Sequence, residues 1–155
     1  DLRRSRGLGD VYKRQELHDK VWEDKQSLTI QMINDLEKDN RLIKVLEQLE
    51  QDGYTLCCAT NSVRHSAIVQ LTRRGFIDHL EFVFTNQDVA NPKPNTEIYL
   101  RCMIKAGVSP KETIILEDSE IGRKGANETG SPVLEIKDSN DVTYDKIRKF
   151  IDNVK

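Results

Sequence analysis

Three apolar runs in this sequence end in, or lead to, residues able to do chemistry. YTLCCAT, Tyr54–Thr60, closes on Thr60 and is followed by Asn61. FVFT, Phe82–Thr85, leads into the loop NQDVANPKPN, which carries Lys93, and TIILED, Thr113–Asp118, closes on Glu117 and Asp118. Apolar runs this short, bounded by turn residues, predict buried strands. A hydroxyl, an amide, an ammonium and two carboxylates therefore gather along one edge of a sheet, at the carboxyl ends of its strands, where open α/β sheets bind ligands. Each also has a plain structural reading. Thr60 and Asn61 are ordinary helix caps, Lys93 could be a solvated loop lysine, and Glu117 and Asp118 could be turn and capping groups ahead of a helix.

The elements that would position these groups follow from spacing. Leu17, Val21, Leu28, Met32, Ile33 and Leu36 recur at near-helical intervals and predict one or two helices from Glu16 to about Leu36. Ile43, Leu46 and Leu49 form the stripe of a second helix that stops near Asp52–Gly53. Ser62–Gly75 predicts a helix opened by Asn61 or Ser62 and closed by glycine, and Glu97–Gly107 another with a glycine stop. Glu120–Gly130 predicts a helix, Pro132–Ile136 an edge strand and Tyr144–Val154 a closing helix. Strands alternating with helices of ten to fifteen residues argue for a parallel sheet with right-handed crossovers.

At 155 residues the chain has the length of one ordinary domain. Its 37% hydrophobic and 32% charged residues suit a globular protein with a charged surface rather than a disordered or membrane chain. No apolar run approaches the roughly 20 residues that span a bilayer, so no membrane partner is expected. Cys57 and Cys58 are neighbours in a predicted strand, Cys102 lies in a predicted helix, and there is no Cys-x-x-Cys. That pattern predicts a reduced cytoplasmic protein with buried thiols, not a metal or disulfide framework. The net charge of −2 hides an asymmetry, because residues 1–15 hold five basic residues and two acids. A basic head could serve an anionic partner, but DVYKRQ, Asp10–Gln15, is also what a transposon-library adapter encodes when translated. We therefore expect residues 1–15 to be an adapter artefact, set aside from fold reasoning, and the remainder gives no reason to expect a nucleic-acid partner.

Taken together and in this order, CCATNS, NPKPNTEIYL and ILEDSEIGRKGA resemble the second, third and fourth motifs of the haloacid dehalogenase-like hydrolases. The last two are most similar to the branch that holds β-phosphoglucomutase and small sugar-phosphate phosphatases. One departure is Thr96, where relatives often have a proline, which affects the start of the following helix. The resemblance implies a three-layer Rossmann-like α/β core over residues 37–155, lacking its first, central strand, with residues 16–36 as the tail of a helical cap. It implies Mg²⁺-dependent phosphoryl transfer on a small phosphorylated metabolite, chemistry that rests on positioning and on neutralising phosphoryl oxygens. Asp118 would be a direct Mg²⁺ ligand and Glu117 a direct or water-mediated one. Thr60 would donate its hydroxyl and Asn61 its backbone N–H to the phosphoryl group. Lys93 would pair with that group and with the nucleophile. Gly122 and Gly125 would let the helix after the acidic pair pack closely.

The family's nucleophile is the first aspartate of an Asp-x-Asp pair, and no Asp-x-Asp occurs in this sequence. We therefore expect the chain to be a carboxy-terminal part of such an enzyme, inactive by itself. Two other readings stay open. A non-catalytic binding or scaffold protein could keep the fold without the nucleophile, and a metal-independent haloacid dehalogenase could share the core.

Overall fold

Among the described residues, four short strands, all paired in parallel, carry the expected site edge. The computed structural model describes the backbone of residues 2–154 and the side chains of 12–154 except positions 30 and 34. In the expected adapter segment, Asp1 and the side chains as far as Val11 lie outside the described residues. The chain divides into two compact units, one ending at Leu36 and the other starting at Glu37.

The first unit is one helix, α1, Leu2–Asn34. It begins well before Glu16, where the apolar stripe starts, and its backbone runs through Gly7 and Gly9. Leu17, Val21, Leu28 and Met32 share one face of this helix, and all four are more than half exposed.

The second unit contains β1 (Cys57–Ala59), β2 (Phe82–Phe84), β3 (Ile115–Glu117) and β4 (Val133–Glu135). β1 pairs with β2 and β3 with β4; among the described residues no strand joins the two pairs. The helices are α2 (Asn40–Gln51), α3 (Arg64–Arg74), α4 (Glu97–Ala106), α5 (Glu120–Asn127) and α6 (Tyr144–Val154). Glycines in the left-handed conformation stop α3 at Gly75 and α4 at Gly107, as the sequence predicted.

Alternation along β3 and β4 divides the unit into three layers. Leu134 packs with Val45 and Leu49 of α2 and Ile147 and Ile151 of α6, with Leu116 against them. Ile115 packs on the opposite side with Ile98, Tyr99 and Met103 of α4 and Ala126 of α5. Ala59 of β1, Phe84 of β2 and Val133 of β4 join this second cluster, so one apolar layer underlies both strand pairs. This is the α/β three-layer arrangement expected, in a sheet that lacks, among the described residues, a strand between β1 and β3.

Three local expectations are corrected. The buried face of α2 is Leu42, Val45 and Leu49; Ile43 and Leu46 are only half-buried. Ile43 instead lies against Gly75, where any Cβ would meet its Cδ1 at 2.7 Å. α3 is not capped by Asn61 or Ser62, because Val63 precedes its first residue and the Arg64 N–H donates to Gln87 Oε1 at 2.8 Å. Cys57 is exposed, not buried; it pairs with Phe82 of β2, and among the described residues no strand lies on the other edge of β1.

The Leu134 cluster has the burial of a core. Leu134→Ala or Ile151→Ala is expected to cost about 2–5 kcal/mol in equilibrium unfolding. Ile104→Ala, at a position 79% exposed on α4, is expected to change stability by about 0.5 kcal/mol or less. Equal effects would contradict the layer assignment.

Candidate functional site

The end of β1 is shaped by two short polar side chains. The Thr60 N–H donates to Phe84 O at 3.0 Å and extends the pairing of β1 with β2 by one residue. The Thr60 hydroxyl accepts from the Ser62 N–H at 3.1 Å and closes a turn. The Asn61 amide then reaches across to the loop after β2. Its Nδ2 donates to Lys93 O at 3.1 Å, and its Oδ1 accepts from the Lys93 N–H at 3.0 Å. This two-point clamp fixes the backbone of Lys93, a role that a cap reading of Asn61 does not suggest.

Lys93 is not a solvated loop lysine. Its side chain is 9% exposed, and its ammonium donates to Ala59 O at 3.0 Å and to Glu117 Oε1. It also sits 4.9 Å from the centre of the Tyr99 ring. The lysine therefore bridges the end of β1 to the end of β3, across the gap between the strand pairs. The loop that carries it is held by Glu97, the first residue of α4. The Glu97 carboxylate accepts from the Ala90 N–H at 3.0 Å, the Asn91 N–H at 2.9 Å and Arg101 Nε at 2.9 Å. The two backbone bonds lower its pKa to about 2.

At the end of β3 the two carboxylates part company. Glu117 is buried, and Asp118 beside it is exposed. Glu117 Oε1 takes the Lys93 ammonium and the Tyr99 hydroxyl at 2.6 Å, and Oε2 takes the Ser119 hydroxyl at 3.3 Å. Burial and the Glu117 carboxylate together push the Tyr99 hydroxyl far above its usual range, so it remains a donor. Ser119 also caps α5 by accepting from the Gly122 N–H at 3.0 Å. α5 packs so closely that a Cβ at Gly122 would collide with the Glu117 carboxylate, and one at Gly125 would meet Pro94 O at 2.5 Å. Both glycines are needed for this approach.

The structure thus brings Asn61, Lys93 and Glu117 into one hydrogen-bonded cluster. Thr60 and Asp118 flank it at the ends of β1 and β3. Sequence reasoning missed Tyr99 and Glu97, although both stand in the same NPKPNTEIYL stretch as Lys93. A tyrosine at helical spacing reads as core, which Tyr99 also is, at 4% exposed. As a metal site the donor set is incomplete. Mg²⁺ requires near-octahedral oxygen ligation, the Glu117 oxygens are occupied by Lys93, Tyr99 and Ser119, and of the two acids that close β3 it is Asp118 whose carboxylate stays uncommitted. No group of three His, Cys, Asp or Glu placed to hold a metal occurs among the described residues.

The sequence profile of the family described as Haloacid dehalogenase-like hydrolase matches residues 6–136. An uncharacterized protein of Lacticaseibacillus casei is 36% identical over 93 residues, covering 60% of this chain and 42% of that protein. The phosphorylated carbohydrates phosphatase of Thermotoga maritima is 27% identical over 100 residues, 64% of this chain and 46% of that protein. The chain therefore spans less than half the length of these relatives. The crystal structure of a β-phosphoglucomutase from Clostridium difficile superposes with a TM-score of 0.69 at 18% identity, covering 84% of this chain and 65% of that one. That likeness is one of fold.

Removing one partner of a buried ion pair leaves the other uncompensated, at about 3–5 kcal/mol. Lys93→Ala is expected to destabilise the chain by that much, and Glu117→Gln in the same chain to recover most of it. Additive losses in a double-mutant cycle would contradict the pairing. Glu97 predicts a pH effect. Its folded pKa lies below the ordinary carboxylate value, so its contribution is complete above about 4.5 and is lost as pH falls toward about 2. Protection of the Ala90 and Asn91 amides should fall across that window, and Glu97→Gln should remove the pH dependence.

Proposed function

The chain belongs to the haloacid dehalogenase-like hydrolase family, and from that premise we propose that it is the carboxy-terminal part of a Mg²⁺-dependent phosphatase or phosphomutase. The substrate is a small phosphorylated metabolite, and the reaction runs through an aspartyl-phosphate whose nucleophile this chain does not contain. The observation that carries the reading is the buried Lys93 ammonium, fixed between the ends of β1 and β3 with Asn61 clamping its backbone. A preorganised cation at a strand-end edge is the principal need of phosphoryl transfer, where charge accumulates on the oxygens of the transferred group. The phosphatase of Thermotoga maritima, which acts on phosphorylated carbohydrates by its name, supports the choice of substrate class.

Each residue of this chain has a defined part in the proposal. Lys93 neutralises phosphoryl oxygens, and Asn61 holds it there while offering its own N–H. Thr60 accepts from Ser62 and keeps its hydroxyl proton for a phosphoryl oxygen. Asp118 is the carboxylate this chain supplies to Mg²⁺, whose chemistry in the intact enzyme is charge neutralisation at the phosphoryl group. Glu117, as folded here, holds Lys93 and is not free to bind the metal, so no step is assigned to it. Among the described residues, no helix is long and apolar enough to cross a membrane, and we propose a cytoplasmic location.

The purified chain with Mg²⁺ and p-nitrophenyl phosphate is expected to show background hydrolysis only. Turnover that Asp118→Ala abolishes would overturn the proposal of an inactive part. In a longer parent carrying an Asp-x-Asp, Lys93→Ala is expected to remove about 2.7–4 kcal/mol of transition-state stabilisation, as loss of one preorganised donor does. A fall below about tenfold in kcat/KM would leave Lys93 a structural role alone.

A further inference from the structure

The first unit poses a problem that the second does not. It spans Asp1–Leu36 and is built on a single helix, α1. Leu17, Val21, Leu28 and Met32 stand along one face of that helix, each more than half exposed. A helix in water draws most of its stability from packing an amphipathic face, and without such packing it is marginal. The stripe on α1 is therefore a face that needs cover, and its pattern and its flanking charges say what cover fits.

Leu17 and Leu28 are eleven positions apart, and so are Val21 and Met32. Eleven residues make nearly whole turns of an α-helix, so the stripe runs almost straight along α1. Its four side chains fall within about 60° of the helix circumference. A helix facing a globular core carries an apolar stripe of about 100° or more, and one this narrow is the seam of a helix pair. Asp24 and Lys25 fill the interval between Val21 and Leu28, one on each flank and each about 50° from the centre of the seam. Both are exposed, and among the described residues neither has an ion-pair partner in its own chain.

These flanks select both the occupant and its direction. When two identical helices pair in parallel about a two-fold axis, the left flank of each meets the right flank of the other; when they pair antiparallel, each flank meets its own copy. An antiparallel pair centred on this interval sets Asp24 against Asp24 and Lys25 against Lys25. A parallel pair in register sets Asp24 of each copy beside Lys25 of the other, twice. We infer that the Leu17–Met32 seam is a self-association surface, and that its occupant is α1 of a second copy of this chain, parallel and in register. Each apolar side chain packs on its own counterpart, and the two Asp24–Lys25 ion pairs close the seam at its polar interval and fix the register. The surface begins beyond residues 1–15 and uses none of the groups assigned to phosphoryl binding, so it stands whether or not the phosphatase reading does.

Sedimentation velocity on the full 155-residue chain, over a series of concentrations at low salt, tests the inference. The chain is expected to pass from monomer to dimer as concentration rises, and Leu28→Asp to remain a monomer throughout. Asp24→Lys and Lys25→Asp should each weaken association about fivefold, because two attractive contacts become two repulsive ones. The double variant Asp24→Lys/Lys25→Asp should recover the original affinity, and an equimolar mixture of the two single variants should associate more tightly than either alone. Recovery in the double variant also shows that the single variants had not lost their fold. A chain that stays monomeric at every concentration would overturn the inference, whether the seam is then covered by the second unit or by another protein. So would association that Leu28→Asp leaves intact, which would place the contact elsewhere. Single charge variants that associate as well as the unsubstituted chain would overturn the parallel register.

Discussion

The Lys93–Glu117 ion pair is the constraint on which the second unit depends. Both side chains are less than a tenth exposed, and taking two such charges out of water costs several kcal/mol each. That cost is offset only if the remaining polar valences are filled, and here they are. Ala59 O takes a second ammonium proton, Tyr99 and Ser119 donate to the carboxylate, and the Tyr99 ring faces the ammonium. Much of the surrounding structure follows from that need. Glycine at position 122 leaves room for the carboxylate, and glycine at position 125 lets α5 close on Pro94. Asn61 and Glu97 hold the loop so that the lysine reaches its partners.

The pair also has a topological role. Among the described residues β1–β2 and β3–β4 share no strand hydrogen bonds, and the apolar layer under both pairs and the lysine across their carboxyl ends help couple them. Apolar burial is non-directional and does not by itself fix how the strand ends align. The ion pair is directional and does. The groups assigned to phosphoryl binding sit at the point where the two half-sheets are joined, so the stability of the unit and the geometry of its site share one interaction.

α4 connects these properties. Its first residue, Glu97, anchors the lysine loop, and Tyr99, two residues later, donates to Glu117. Ile98, Tyr99 and Met103 bury its inner face. A change in the contact between β1 and α4 would therefore be felt at Lys93 through Ala59 and Tyr99.

Much of this was legible in the sequence. The apolar runs located all four strands and glycine stops ended α3 and α4, because strand burial and left-handed caps are local demands on residue type. Motif order placed Thr60, Lys93, Glu117 and Asp118 on one edge, since parallel strands with helical crossovers deliver their carboxyl ends to the same side. What the sequence left undecided was which atoms meet. That Glu117 turns inward to Lys93 while Asp118 faces out is a matter of strand alternation against a particular packed layer. That Asn61 clamps Lys93, 32 residues away, in place of capping α3, was settled by where two loops approach. Lys93 and Glu117 are 24 positions apart, and no local pattern relates them. Long-range contacts depend on how layers stack, and only the tertiary structure fixes that.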